Sequence, residues 1–170
     1  FWHPGIDPIG ITRAIFTNLQ HPGRRPEGAS GITQQVAKNF LVGSETTIQR
    51  KIREAILAFR IEAAFSKERI LELYLNQIYL GSGNYGVAAA ALNYFNKSLD
   101  ELSLSEIAYL AALPKAPNRY SIARNSTEAH NRRDYVLHRM FEDGYITEAE
   151  LQAARTQKLA FRRRADPALP

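Results

Sequence analysis

A mainly α fold is predicted by three features of the chain. Apolar residues recur every three or four positions in several stretches without Gly or Pro. Capping-box pairs open two of those stretches, and no segment shows strand-like alternation of useful length. With 170 residues, 45% hydrophobic and 23% charged, one globular domain with a real core is expected. Cysteine is absent, which excludes a disulfide framework and Cys-based zinc sites. The four His residues are scattered without metal-ligand spacing. No segment approaches the roughly 20 apolar residues needed to span a bilayer. The net charge of +5 suits anionic partners: nucleic acid, an anionic membrane surface or a phosphorylated substrate.

In chain order, Asp7 is placed to cap a helix with Pro8 at its first position, running through Ile11, Ile15, Phe16 and Leu19 and carrying Arg13. Residues 20–28, with two Pro and two Gly, read as a mobile loop. Ser30 is a candidate N-cap for a helix reaching about Val42, with Ile32, Val36 and Phe40 as its apolar stripe. A long helix is predicted over 47–65, with a stripe of Ile48, Ile52, Ile56, Phe59 and Ala63. Ser66 can cap a helix over 67–80, which Gly81 and Gly83 stop. The Ala-rich run 86–95 reads as a buried central helix, because small side chains allow close approach. Ser103 with Glu106 forms a capping box for a helix ended by Pro114, and a Pro-bearing turn follows. Ser126 opens a helix to about Glu142, Gly144 stops it, and Thr147 with Glu150 caps a last one. Arg162, Arg163 and Arg164 lie in a polar tail. The expected total is seven or eight helices.

Two helix faces carry candidate chemistry. At about 100° per residue, Arg50, Lys51 and Glu54 share one side of their helix, the carboxylate between two cations. Leu57 and Ile61 continue that side. Such a trio fits either a solvated ion-pair face or the lip of a groove. Gln34, Gln35 and Lys38 have the same relative spacing, so two amides and an ammonium also share a face near a helix start. That surface is rich in donors and friendly to anions, or is simply solvated. Asn76, a polar residue late in an apolar helix, is either a packing residue or a site residue.

Four blocks together resemble one family. GASGITQQVAKN, RKIRE, KERILELYLNQIYLGSGNYGVAAAALNYF and SEIAYLAALPKAPNRY are similar, in order and spacing, to the second to fifth motifs of the peptidoglycan glycosyltransferase domain of class A penicillin-binding proteins, glycosyltransferase family 51. The resemblance implies a lysozyme-like, mainly α fold. The domain core would span 1–122, with 123–170 as C-terminal helices and a linker toward a transpeptidase domain that is not in the sequence. It implies polymerisation of lipid II. The 4-hydroxyl of one sugar would attack the anomeric carbon of a lipid-linked glycan, with inversion and release of undecaprenyl pyrophosphate. Glu54 matches the family's second essential carboxylate, supporting the departing pyrophosphate through a divalent ion (Mg or Mn) or through Arg50 and Lys51. Arg13, Gln34, Gln35, Lys38 and Lys51 match donor-site ligands, with Ser30 as a cap and Asn76 shaping the groove. The implied partners are lipid II, the growing glycan and the membrane surface, with no nucleic acid. The implied location is the outer face of the bacterial cytoplasmic membrane, anchored by a helix outside this sequence.

The chain departs from the family pattern in three places. The first motif carries a Glu-Asp pair before its Phe, His and Gly. Here FWHPG remains, with His3 and Gly5 matching, so the sequence reads as a piece of a longer polypeptide and is expected to be inactive alone. Thr46 stands where the family usually has a basic residue, and Gly31 replaces a common Thr. A weaker phosphate site, or a larger share for Arg50 and Lys51, is expected. The competing expectations are a lysozyme-like hydrolase or lytic transglycosylase sharing the fold, and a DNA-binding helical domain. The dispersed Arg and Lys residues speak against the second.

Overall fold

The computed structural model describes residues 31–40, 48–120, 126–159 and 161. The predicted first helix with Arg13, the loop over 20–28, the Ser30 cap, Thr46 and the Arg162–Arg164 run lie outside them. Seven α-helices and two short 3-10 turns are found among the described residues. The only β feature there is one isolated antiparallel bridge, Tyr79 with Tyr85. None of the described helices is long and apolar enough to cross a membrane. The chain divides into two compact units, Phe1–Gln77 and Ile78–Pro170.

The first unit holds α1 (Ile32–Phe40), α2 (Ile48–Ala64) and α3 (Lys67–Gln77). Its core is Val36 and Ala37 of α1, Ala58 and Ile61 of α2, and Ile70 of α3, with Leu57, Leu73 and Tyr74 packed against them. One carboxylate ties the three helices: Thr33 Oγ1 donates to Glu62, and Lys67 Nζ donates to its other oxygen. Ser66 caps α3 as expected, its Oγ accepting the Arg69 N–H at 3.3 Å.

The apolar stripes in this unit are not where periodicity put them. On α2, Ile52, Ile56 and Phe59 are exposed, Phe59 by 70%, and Glu54, Ala58 and Ile61 are buried instead. On α1, Val36 is buried as expected, but Ile32 and Phe40 are exposed and Thr33 and Ala37 are buried instead. Both helices carry apolar residues on two sides. Neighbouring helices choose between such sides by shape, and the small Ala37 and Ala58 permit the closer approach.

The second unit holds α4 (Val87–Phe95), α5 (Leu104–Ala112), α6 (Ser126–Glu142) and α7 (Glu148–Thr156). The helix predicted over 67–80 ends at Gln77, because residues 78–86 satisfy their backbone groups across a hairpin. Leu80 N–H donates to Asn84 O at 2.9 Å and Gly86 N–H to Ile78 O at 2.8 Å. Gly81, Ser82, Gly83 and Gly86 all have positive φ there, which a continuing helix forbids. Only half of α4 is buried: Ala90, Ala91, Tyr94 and Phe95 face the core, while Ala88, Ala89 and Leu92 are exposed. The main core joins these to Leu80, Tyr109, Leu110, Leu113 and Ala129. A second cluster of Ala108, Leu137, Leu151 and Ala154 binds α5, α6 and α7 together. Both predicted capping boxes are present, Ser103 with Glu106 and Thr147 with Glu150, and Gly144 at φ 77° ends α6.

Two buried charges hold this unit. Glu106, 5% exposed, accepts from Lys97 Nζ at 2.9 Å and from the Ser103 N–H at 2.8 Å. Burial pushes its carboxyl up, but Lys97 and Ser103 outweigh that, so its pKa lies below the ordinary value. Arg133, 2% exposed, donates from Nη1 to Ser105 Oγ at 3.1 Å and to Gln157 O at 2.8 Å. Its Nη2 donates to Arg155 O at 3.0 Å, and Nε pairs with Asp134 at 2.8 Å. This guanidinium therefore staples α5 to the C-terminal end of α7, capping carbonyls that the helix leaves open. Arg133→Met strands those acceptors and Asp134, and should lower unfolding stability by about 3 kcal/mol. Arg133→Lys should recover only part, because an ammonium lacks the planar fork. Urea denaturation measures both, and a negligible loss in Arg133→Met would show that the guanidinium is not what holds α5 to α7.

Candidate active site

The trio of Arg50, Lys51 and Glu54 stands at the start of α2. Arg50 Nε donates to Glu54 Oε1 at 3.1 Å, and Lys51 Nζ donates to Oε2 at 2.6 Å, so each carboxylate oxygen has its own cation. Glu54 is 4% exposed. The Arg50 side chain is mostly covered, whereas that of Lys51 is 63% exposed and presents the rest of its ammonium to solvent. Burial raises the Glu54 carboxyl, but Lys51 first and Arg50 second more than offset it, leaving the group below its ordinary value and ionised near neutrality.

Local helix physics does not favour this arrangement. The first turn of α2 contains no acidic residue. Cations there oppose the helix dipole, and a cation preceding its carboxylate at i, i+4 is the weaker order. A trio kept purely for helix stability would be placed the other way round. What it does build is a buried anion that holds two cations at a helix N-terminal end, where the dipole adds to their positive field. That assembly attracts an anion of high charge density and suits stabilisation of a departing phosphate.

The remaining predicted site residues are distributed as follows. Gln34 lies on α1, where its Oε1 accepts the Gly31 N–H at 3.2 Å, so that oxygen is spent on the helix start. Gln35 is half-buried on α1, Lys38 is exposed one turn further on, and Asn76 is exposed near the end of α3. Packing of α1 on α2, seen in the Thr33 to Glu62 bond and the shared Val36, Ala37, Ala58 and Ile61 core, sets Gln34, Gln35 and Lys38 on a helix adjoining that of Glu54. No hydrogen bond or ion pair joins Lys38 to Glu54 among the described residues. Arg13 and Ser30 lie outside the described residues. Sequence reasoning passed over Glu62, the residue that joins the three helices. Its partners Thr33 and Lys67 are on other helices, and no local spacing signals them.

A family model described as Transglycosylase matches residues 1–141. The chain belongs to the transglycosylase family. This is the glycosyltransferase family 51 grouping that its four motifs resemble. Penicillin-binding protein 1A of Rickettsia felis is 55% identical over 96% of this chain, which spans 21% of that protein. Penicillin-binding protein 1A of Aquifex aeolicus is 52% identical over 96% of the chain and 22% of its own length. Among solved structures, the crystal structure of penicillin-binding protein 1A from Haemophilus influenzae matches 79% of this chain and 17% of its own. The TM-score is 0.56 and the identity 38%. The chain thus spans about a fifth of the length of these relatives. The mainly α class expected from the sequence stands.

The Glu54 cluster has a defined pH signature. Its folded pKa is lowered, so its contribution to stability is complete above the ordinary carboxylate range and is lost as pH falls through the folded value. Carboxyl NMR titration should find Glu54 below the ordinary glutamate value, and Lys51→Ala or Arg50→Ala should move it upward. A titration indifferent to both substitutions would mean that the two cations do not hold it.

Proposed function

We propose that the chain is the glycan-polymerising part of a peptidoglycan synthase, with residues 1–122 as the domain core and 123–170 leading toward a transpeptidase domain. The observation that carries this reading is the buried Glu54 bracketed by Arg50 and Lys51, in a chain of the transglycosylase family. The substrate is lipid II, together with the growing lipid-linked glycan. The acceptor 4-hydroxyl forms a new bond to the donor anomeric carbon while the bond to the pyrophosphate oxygen breaks, and inversion follows from attack opposite the leaving group. The hydroxyl proton goes to a base, which the family resemblance assigns to a first-motif Glu that is not among these residues.

The pyrophosphate leaves with growing negative charge. Arg50, Lys51 and the other predicted donors, Arg13, Gln34, Gln35 and Lys38, are proposed to receive it, with Ser30 as a cap and Asn76 bordering the groove. Glu54 acts by holding Arg50 and Lys51 in place. Without them, a bare carboxylate would repel the leaving group. Both Glu54 oxygens are taken by cations, and no group of three His, Cys, Asp or Glu stands together among the described residues. A magnesium or manganese ion at Glu54 would share its carboxylate with Arg50 and Lys51, and no step here depends on one. The proposed location is the outer face of the cytoplasmic membrane, where a lipid-linked substrate is held.

Glu54→Gln in a full-length parent should lower lipid II polymerisation by at least about a hundredfold while the protein stays folded. Near-normal turnover would overturn the assignment. Cleavage of finished glycan without extension of lipid II would indicate a hydrolase sharing the fold.

A further inference from the structure

Among the described residues no helix follows Thr156, yet Gln157, Leu159 and Phe161 are held down. Arg133 Nη1 grips Gln157 O at 2.8 Å, and Leu159 and Phe161 pack on the main core of the second unit. The Phe161 ring lies 5.1 Å from that of Tyr94. Tyr94 is fully buried, and its hydroxyl donates to Leu80 O at 2.7 Å. That carbonyl belongs to the hairpin of residues 78–86. A Cβ on Gly81 would come within 3.0 Å of the Tyr94 hydroxyl, so the ring is seated tightly against the turn. The turn itself is strained: Ser82, a non-glycine residue, has φ 51°, between two glycines that also have positive φ. It presents the Tyr79 and Tyr85 rings 5.1 Å apart, with Tyr85 66% exposed.

We infer that the stretch carrying Gln157, Leu159 and Phe161 is a strap that sets the conformation of the 78–86 hairpin through Tyr94. The strap has two states, docked and released, and its Gln157 carbonyl is held by a side chain and not by a helix. Its release is therefore a local event that leaves the helices folded. When Phe161 leaves, Tyr94 loses the ring that covers it, and the bond holding Leu80 O weakens with it. The strained turn, held otherwise by its own Asn84 bonds to Gly81 O, then opens more often. A pull or contact acting on the chain beyond Phe161 would be read out at the Tyr79 and Tyr85 rings, through a contiguous line of packed groups with a two-state element at one end. This reading goes beyond the proposed polymerase activity and does not need it.

The test is amide hydrogen exchange on the full 170-residue chain. The reporters are the Leu80, Asn84 and Gly86 N–H groups, which bond to Asn84 O, Gly81 O and Ile78 O. Phe161→Ala should speed all three by about tenfold while the Leu137 and Leu151 amides stay within about twofold. Tyr94→Phe should speed the same three amides but leave the strap docked, with the Phe161 ring resonances unmoved. Unchanged hairpin exchange in Phe161→Ala overturns the inference, whatever the strap itself does. Equal acceleration of Leu137 and Leu151 also overturns it, because the effect would then be global loosening.

Discussion

A charge taken out of water must be met by opposite charge or by hydrogen bonds, and this chain is built around meeting that demand. Glu54 and Glu106 are all but buried, Arg133 wholly so. Each is matched oxygen for cation or nitrogen for acceptor. Leaving any of them unmatched costs several kcal/mol, comparable to a large share of a domain's net stability. These sites therefore restrict how the helices can be arranged. Arg133 accepts only an arrangement that brings Ser105 and the end of α7 to its fork. Glu106 accepts only one in which Lys97 returns to the start of α5.

The same demand explains why the Glu54 trio is more than helix decoration. Two cations in the first turn of α2 work against its dipole, so the helix gains little from them. In the proposed function, the benefit appears when an external anion arrives. Glu54 has already fixed the geometry of both cations, and the helix end adds its field. Preorganised positive charge of this kind needs no rearrangement when a phosphate departs, which is where electrostatic catalysis draws most of its advantage. In unit two, aromatic packing plays a comparable part. Tyr94 meets Phe95, Tyr109 and Phe161, and through its hydroxyl the hairpin backbone, so one residue couples the chain beyond α7 to a strained turn.

Much of this was legible along the chain. Helix starts at Ser66, Ser103 and Thr147 and the stop at Gly144 follow from groups within four residues of each other, so sequence and structure agree there. The Arg50, Lys51 and Glu54 cluster was legible for the same reason, since helical geometry alone brings i, i+3 and i+4 together. The end of α3 was not: Gly81 and Gly83 mark a stop, but a hairpin claims residues 78–80 first.

What the sequence determined by itself was therefore local: the mainly α class, the caps, the ionised trio and, through four spaced motifs, the family. Which face of α1 and α2 is buried was decided only in three dimensions, because each helix offers two apolar sides and packing chose the side that carries the small Ala37 or Ala58. The ties made by Glu62 and Arg133 were likewise decided by tertiary packing. Their partners lie on other helices, far along the chain, and a periodicity of three or four residues carries no information about them.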